Sequence, residues 1–274
     1  MSAPMVIDSR LKLALRILTA MVLAVVYVPL ALVMVNSFNV DRTFTWPPSG
    51  LTFHWWHVAA HSVGARDALR VSIEVALLAT ATALVLGTLA ALALRRTRFF
   101  GRNVVSLLII LPIALPGIVT GIALNNAFRT MLGLELGFFT IVVAHATFCI
   151  VTVFNNVQAR LQRLGPSLEQ ASADLGAGPF TTFRLVTFPM LRSALLAGAL
   201  LAFGLSFDEI VVTTFTAGPE EQTLPIWIFQ NLFRPNQAPV VNVVAAVLVL
   251  LSAIPIYLAQ RLSDDVAGTA GAAH

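Results

Sequence analysis

The chain has 274 residues, of which 58% are hydrophobic and only 11% are charged. Soluble domains carry about 25% charged residues, so this composition argues against a soluble enzyme and indicates a membrane protein. The chain has seventeen lysines and arginines and thirteen acidic residues, and all of the seventeen except Lys12 are arginines. In a membrane protein such charges indicate the side of the bilayer that a loop occupies, and we predict no nucleic-acid partner.

Six stretches reach the length of about 20 apolar residues that a helix needs to cross the hydrocarbon core. They are residues 17–37, 70–94, 103–125, 138–157, 193–215 and 239–260. We therefore predict an all-α membrane protein with one six-helix domain over residues 17–261. A basic N-terminal lead over 1–16 precedes it, and a disordered polar tail over 262–274 follows it. The first apolar run is too long for a signal peptide and no small-residue cleavage site follows it, which favours a retained anchor.

An even number of spans places both termini on one side of the membrane. Cytoplasmic loops carry an excess of basic residues, and here one side has twelve and the other has five. The basic side comprises Arg10, Lys12, Arg16, Arg95, Arg96, Arg98, Arg102, Arg160, Arg163, Arg184, Arg192 and Arg261. We therefore predict that both termini and the polar segment 160–192 are cytoplasmic.

The outer segment after the first span is rich in tryptophan and histidine. Tryptophans prefer the level of the lipid headgroups, so this segment is expected to lie along the membrane surface. His54, His57 and His61 can share one face of a helix, which raises the question of a metal site. Because neither a cysteine nor a set of carboxylates is near, we favour an interfacial helix and predict no metal site.

The second, third and fourth predicted spans each contain residues that interrupt their apolar pattern. Glu74 either lines a substrate pathway or simply reaches headgroups and water near the outer boundary. Pro112 and Pro116 interrupt helix hydrogen bonds, so they either border a pathway or serve packing. His145 and Cys149 lie one turn apart, but two such residues are too few for a metal site. For His145 we favour a hydrogen bond to a neighbouring helix, with a role in gating or substrate contact as the alternative.

The polar stretch 167–192, within the segment 160–192, predicts a folded cytoplasmic elbow. Ser167 and Gln170 have the spacing of a capping box, in which each side chain satisfies the other residue's backbone N–H. Gly176 suits the end of a first short helix, and Pro179 suits the first turn of a second. A membrane protein that folds such an elbow on one side of the bilayer is expected to dock a partner there.

The fifth span carries two adjacent carboxylates, Asp208 and Glu209, in an otherwise apolar run. If the helix begins near Ser193, Asp208 lies roughly 22 Å further along it, in the outer half of the membrane. A carboxylate at the centre of the bilayer costs about 2.5–3.5 kcal/mol, so we expect this pair to face a cavity or a cation. Adjacent helical residues point about 100° apart, and we favour Asp208 over Glu209 for contact with a substrate or gate. A polar contact with a partner helix remains the alternative for each.

The elbow also resembles the "EAA" loop of permease subunits of binding-protein-dependent ABC importers. That pattern has an E-A-A start, a glycine six residues after the glutamate, and a hydrophobic-x-Leu-Pro ending. Here Gly176 sets the register, Val186–Pro189 fits the ending with Phe in place of Leu, and Gln170–Ser172 is the start. The family's glutamate is therefore a glutamine, with Glu169 one residue earlier. The resemblance implies that the elbow forms coupling helices seated on an ATPase, through Glu169, Gln170, Ala171, Asp174, Gly176, Ala177, Phe183 and Pro189.

A further resemblance points to the polyamine branch of these importers. Residues 206–212 followed by Phe215 are similar to the S-[LF]-D-[DE]-hydrophobic stretch of that branch, as are Leu111-Pro112 with Pro116 and Leu224-Pro225. The resemblance implies a type I importer permease fold and the second permease of a spermidine or putrescine system. The substrate pathway would then include Asp208, Glu209, Glu74, Phe207 and Pro116.

The same resemblance implies a bacterial inner-membrane complex with several partners. These are a second homologous permease, two ATPases that hold ATP and Mg, an extracytoplasmic solute-binding protein, and membrane lipid. The residues agree that energy must come from outside this chain, because a Walker A loop needs Gly-Lys and the one lysine is Lys12. We therefore predict a non-catalytic subunit without a cofactor of its own.

Three other functions remain open from the sequence. The same machinery can carry another small solute, such as an amino acid derivative, thiamine or an iron chelate. A secondary transporter or channel would work without an ATPase, but it leaves the cytoplasmic elbow unexplained. A membrane scaffold protein would leave Asp208 and Glu209 unexplained.

Overall fold

The computed structural model describes residues 9–43, 46–96, 100–165 and 167–271. Within these residues the regular structure is helical, apart from one antiparallel bridge between Asn39 and Leu51. The helices are α1 (Ser9–Asn36), α2 (His54–His61), α3 (Val63–Arg96), α4 (Arg102–Ala114), α5 (Gly117–Asn126), α6 (Phe138–Leu164), α7 (Ser167–Asp174), α8 (Pro179–Thr182), α9 (Phe188–Phe207), α10 (Val211–Thr216), α11 (Leu224–Asn231) and α12 (Ala238–Gly271). Two π-helical turns, Ala127–Met131 and Phe183–Thr187, follow α5 and α8.

The chain divides into two compact units. The smaller unit holds the described residues up to Ser62 together with Asn231–Val249. The larger unit holds Val63–Gln230 together with the described residues from Leu250 onward, and it contains the residues that the sequence analysis assigns to the candidate sites.

Four described helical stretches are long and apolar enough to cross a membrane, namely Arg10–Asn36, Val63–Arg95, Phe138–Leu164 and Pro179–Phe207. The pair α4 and α5 passes the same test together, but its two parts are bent by 106°. The apolar stretch Ala238–Ile254 is shorter. The six predicted spans thus correspond to four clear helices, one bent pair and one shorter helix, and the count of six stays a prediction.

The core of the larger unit is the packing of α3, α6 and α9. Small side chains let these helices approach closely, and Ala79, Ala83 and Cys149 are fully buried. A Cβ atom added to Gly87 would lie 2.9 Å from the backbone oxygen of Ile150, so α3 and α6 touch almost backbone to backbone. The consequence is a rigid three-helix frame from which the more irregular segments extend.

The fifth predicted span, 193–215, is not one continuous helix, which corrects the geometry expected for its carboxylates. Helix α9 ends at Phe207 and α10 begins at Val211. The Asp208 N–H still bonds to the Gly204 oxygen at 3.3 Å, but the Glu209 side chain binds the N–H of Val212 and starts a new helix. The argument from 100° spacing on one helix therefore does not apply to Asp208 and Glu209.

The junction between α8 and α9 departs from regular α-helical hydrogen bonding. The Phe188 N–H bonds to the Phe183 oxygen five residues earlier, just before Pro189, which lacks an N–H for the ordinary helical bond.

Helix α12 continues to Gly271. The stretch 262–271, expected to be a disordered tail, is therefore helical.

Candidate functional site

The break between α9 and α10 places two acidic side chains in different surroundings. Asp208 occupies the position that ends α9, and its side chain is exposed. No basic side chain of a described residue pairs with it. Glu209 is half-buried, and its Oε1 accepts a hydrogen bond from the Val212 N–H at 2.8 Å. Asp208 is therefore the acidic group open to a ligand, whereas Glu209 holds the first turn of α10.

His145 on α6 bridges the two sides of this break. The imidazole is fully buried, with Nδ1 2.7 Å from the Ser206 hydroxyl oxygen and Nε2 2.8 Å from the Thr213 hydroxyl oxygen. The Thr213 hydroxyl donates to the backbone oxygen of Glu209 at 2.9 Å, so it accepts from His145 Nε2–H. With the hydrogen of a neutral imidazole on Nε2, Nδ1 is the acceptor for the Ser206 hydroxyl, so both ring nitrogens have a partner.

The prediction that His145 hydrogen-bonds a neighbouring helix is confirmed. However, the residue pattern does not mark His145, Ser206 or Thr213 as site residues. The available signal was a polar side chain in each of two apolar runs, but partners 61 and 68 residues away cannot be paired from spacing.

A second broken helix packs against this first one. Helix α4 ends one residue before Leu115-Pro116 and α5 starts at Gly117, where an added Cβ would lie 3.3 Å from Val211 Cγ1. The Asn125 amide nitrogen donates to the backbone oxygen of Phe215 at 2.6 Å. The break at Pro116 therefore lies beside the break at Asp208, and α5 and α10 are held together by packing and by this hydrogen bond.

Four of the five residues predicted for a substrate pathway come together at these breaks. Asp208, Glu209 and Pro116 lie in or beside them, and Phe207 is buried just before them, with its ring stacked on Phe203 at 5.6 Å. Glu74 is the exception. It accepts a hydrogen bond from Arg70 Nε at 2.7 Å, one turn earlier on α3, rather than from a residue of the breaks.

The elbow forms a second site, built from α7, α8 and the π-helical turn after α8. Helix α7 ends in a Schellman motif, with Ala177 N–H on the Ser172 oxygen at 3.1 Å and Gly176 N–H on the Ala173 oxygen at 2.9 Å. Gly176 has φ +79°, the left-handed conformation that this motif requires. The predicted glycine turn between two short helices is thus present.

Side-chain hydrogen bonds tie the two arms of the elbow together. The Ser172 and Thr182 hydroxyl oxygens are 3.0 Å apart, and the Thr187 hydroxyl donates to Glu169 Oε1 at 2.7 Å. Gln170 is exposed. Helix α7 begins at Ser167 and the residue before it lies outside the described residues, so the capping box stays a prediction.

The outer surface of the elbow is apolar around the glycine turn. Leu175 is 89% exposed and Phe180 is 76% exposed, on either side of Gly176. Of the other residues predicted for coupling, Ala171, Asp174 and Pro189 are exposed, whereas Ala177 and Phe183 are partly buried. Large exposed apolar side chains next to polar ones are typical of a surface that a protein partner covers.

Comparison with known proteins adds evidence of descent. Residues 83–266 match the family model described as "Binding-protein-dependent transport system inner membrane component". Over 243 residues the chain is 33% identical to the spermidine/putrescine transport system permease protein PotC of Escherichia coli K12, covering 88% of this chain and 90% of that protein. Over 229 residues it is 34% identical to the putrescine transport system permease protein PotI of the same organism, covering 81% and 80%.

A solved structure shares the fold. The chain superposes on a bacterial ABC transporter involved in the import of the acidic polysaccharide alginate, with a TM-score of 0.69 and 16% identity. The match covers 97% of this chain and 99% of the other. At this identity the likeness shows the fold alone.

Proposed function

The chain belongs to the family of binding-protein-dependent transport system inner membrane components, and we propose that it forms half of the pathway for a polyamine such as spermidine or putrescine. It is a multi-pass inner-membrane permease subunit of an ABC importer by family. The substrate is inferred from the candidate site together with the named transport of the PotC and PotI relatives.

The observation that carries the proposal is the exposed Asp208 at paired helix breaks. Backbone that is not helical at membrane depth has N–H and C=O groups to satisfy, so it is found where it is buried in protein or lines a water-filled cavity. Transporters often bind substrates at such breaks, since unwound backbone offers polar groups there. A carboxylate that pairs with no basic side chain of the described residues suits a polyamine, because it replaces part of the hydration that the ammonium group loses.

The elbow supports an ATP-driven mechanism. Transport against a gradient needs an energy source, and we infer that two partner ATPases, each with ATP and Mg, supply it through the elbow. The exposed Leu175 and Phe180 offer an apolar contact to an ATPase. The hydrogen bonds inside the elbow would let it move as one unit, and the π-helical turn joins it to α9, so its motion would reach that helix. A second permease subunit and an extracytoplasmic binding protein complete the proposed complex.

We propose the orientation from the distribution of basic residues. The elbow and residues 95–102 of the sequence carry many of the arginines and would face the cytoplasm, with both termini on that side. Asp208 would then lie on the extracytoplasmic half of the pathway, where a solute delivered by the binding protein arrives first.

Copurification and reconstituted transport test the proposal. The chain, extracted from its native membrane in mild detergent, should bring down an ATPase and a second permease. In proteoliposomes, hydrolysis should rise when the binding protein is loaded with putrescine, and labelled putrescine should accumulate. An ATPase with its Walker A lysine replaced is the control and should abolish accumulation. Putrescine uptake without any ATPase would point instead to a secondary transporter, and stimulation only by another solute would reassign the substrate.

A further inference from the structure

A small cavity of about 80 Å³ lies where the end of α3, the start of α4 and the end of α6 meet. Its polar wall consists of Arg95, Arg102, Gln158 and Gln162, and the rest is formed by three apolar side chains of α3 and α6. We call these four polar residues and their cavity the basic pocket. It is separate from the helix breaks and from the elbow's exposed surface.

The basic pocket concentrates positive charge that no described residue neutralises. Arg95 is half-buried and Arg102 is exposed, and no carboxylate of a described residue pairs with either one. One N–H of Arg95 is used, because Nη2 donates to the backbone oxygen of Gly165. A guanidinium has five N–H donors in a planar fork, so most of the donors in the basic pocket remain available to an anion.

Gln158 adds an independent sign of a missing ligand. Its Oε1 is buried and has no hydrogen-bond partner among the described residues. Leaving a buried polar atom unpaired costs free energy, so such atoms in a native protein are usually satisfied by something. A side-chain amide carries an NH₂ donor group as well as an oxygen, so Gln158 can present its NH₂ group to an anion when the amide is turned.

The start of α4 contributes to the same place. Arg102 is the first residue of this 13-residue helix, and the residue before it, Gly101, provides no side chain to cap the free N–H groups. The N-terminus of a helix carries a partial positive charge and unsatisfied donors, which favour an anion nearby. The basic pocket thus combines two arginines, the Gln158 amide and a helix N-terminus, and each of them favours the binding of an oxyanion.

The location of the basic pocket suggests which oxyanion. Arg95 ends the apolar part of α3, and the apolar part of the pocket wall is formed by Ala91, Leu94 and Leu161, which belong to the buried helix core. On the orientation proposed above, this is the level of the phosphate groups of the inner leaflet. Basic pockets between transmembrane helices at the cytoplasmic surface are typical sites for anionic lipid headgroups.

We propose that the basic pocket binds the phosphate group of an anionic phospholipid, such as phosphatidylglycerol, from the inner leaflet. The arginines contact the phosphate oxygens, the Gln158 amide donates to one of them, and the acyl chains lie outside along the apolar helices. The bound lipid would join the ends of α3, α4 and α6, next to the segment that leads from α6 into the elbow.

The test measures lipid binding to the purified full-length chain in detergent. Short-chain phosphatidylglycerol is titrated and the bound lipid is counted by native mass spectrometry, with phosphatidylcholine as the zwitterionic comparison. Replacing both arginines (Arg95→Gln with Arg102→Gln) should weaken phosphatidylglycerol binding about tenfold or more, since each basic residue near anionic lipid contributes strongly. The matched control is Arg163→Gln, an exposed arginine at the same end of α6 that does not line the basic pocket.

Two further variants keep the test informative if the double variant is unstable. Arg102→Gln removes a charge that makes no hydrogen bond to a described residue, and Gln158→Leu removes the buried amide while keeping both charges. Each should weaken phosphatidylglycerol binding several-fold. Equal losses in the Arg163→Gln control, or unchanged binding in Gln158→Leu, would contradict a built site and indicate general surface charge.

Inorganic phosphate distinguishes the source of the oxyanion. At millimolar concentration it should displace little phosphatidylglycerol. If inorganic phosphate instead binds as tightly as phosphatidylglycerol, the pocket is a site for free phosphate and the lipid assignment is overturned. Because binding is measured on the isolated chain, a negative result does not bear on polyamine uptake. In turn, a failed uptake experiment leaves the lipid titration unaffected.

Discussion

The Thr187 hydroxyl donates to the Oε1 atom of Glu169, with 2.7 Å between the two oxygens. Thr187 is buried in the π-helical turn just before α9, whereas Glu169 lies in the first turn of α7. The bond therefore joins the far arm of the elbow directly to the helix that leads to Asp208. It also shows that Glu169, rather than the neighbouring Gln170, makes an acidic contact within the elbow.

Thr187→Val removes this bond while keeping the shape of the side chain. Hydrogen bonds to charged groups contribute about 1.5–3 kcal/mol, so the elbow should loosen without the whole chain unfolding. We expect copurification of the ATPase to persist while putrescine transported per ATP hydrolysed falls several-fold. Uptake and hydrolysis measured in the same proteoliposomes give this ratio.

Gln170→Glu is the matched control for Thr187→Val. Its side chain is exposed, and the change keeps the length of the side chain while replacing its amide with a carboxylate. Coupling should be unchanged. A Thr187→Val protein that couples as well as Gln170→Glu would show that the bond to Glu169 does not stiffen the elbow.

The elbow also offers a clean comparison between two glycines. Gly176 has φ +79°, whereas Gly178 has φ −69°, and an added Cβ meets nothing within 4 Å at either position. Gly176→Ala should therefore cost about 1 kcal/mol through backbone strain alone, and Gly178→Ala should cost little. Thermal unfolding in detergent and coupled uptake are the measurements. Equal effects at both positions would mean that the left-handed turn is not the feature that matters.

The sequence predicted those parts of the structure whose conformation is determined by residues adjacent in the chain. The glycine turn of the elbow is one example, because Gly176 and Pro179 have local conformational preferences that spacing alone reveals. The break after Phe207 could not be predicted, since Asp208 and Glu209 interrupt the apolar run there but no glycine or proline between residues 205 and 217 marks a helix end. At the break the side chain of Glu209 accepts the Val212 N–H, a local competition with the backbone that hydropathy does not register.

The hydrogen bonds of His145 show a second limit of prediction from sequence, which is the pairing of residues far apart in the chain. Ser206 and Thr213 are ordinary residues for a membrane helix, and only the packing of α6 against α9 and α10 brings their hydroxyls to the two ring nitrogens. The sequence could therefore suggest a polar contact for His145, but not that the contact spans a break beside Asp208.

His145→Leu tests whether that bridge fixes the break. The substitution removes both hydrogen bonds, and inter-helix hydrogen bonds in membranes contribute about 0.6–2 kcal/mol each. We expect a lower unfolding temperature and reduced uptake. Thr147→Val is the control, because Thr147 lies on the same helix and, among the described residues, its hydroxyl bonds only to the backbone oxygen of Ala144 at 2.6 Å. Equal losses in the two variants would remove any special role for the bridge.

Gly87→Ala tests the close contact in the three-helix frame. The added Cβ would lie 2.9 Å from the Ile150 oxygen and 3.1 Å from the Phe154 nitrogen, and backbone atoms cannot swing aside as a side chain does. Overpacking of this kind costs about 1–3 kcal/mol, so the unfolding temperature should fall. Gly204→Ala on α9 meets nothing within 4 Å and should be neutral or slightly stabilising. A Gly87→Ala protein as stable as Gly204→Ala would mean that α3 and α6 separate at this contact without a cost in free energy.

Asp208→Asn and Glu209→Gln separate the two acidic residues at the break. Asp208 is exposed and pairs with no described basic side chain, so its charge is available to a passing ammonium group. Glu209 accepts the Val212 N–H through an oxygen that glutamine also has. Two opposite charges 4 Å apart attract by about 4 kcal/mol at an effective dielectric constant of 20, so neutralising Asp208 should lower putrescine uptake about tenfold or more even if most of this is offset by hydration.

The same comparison decides how the pathway is built. Basal ATP hydrolysis and copurification of the ATPase should be normal in both variants, since neither residue lies in the elbow. The Glu209→Gln protein should keep most of its uptake, because the cap of α10 survives. Equal losses in the two variants would mean that the summed negative charge matters rather than the exposed carboxylate. Full uptake in Asp208→Asn would place polyamine contact elsewhere, and Asp208 would then serve only to end α9.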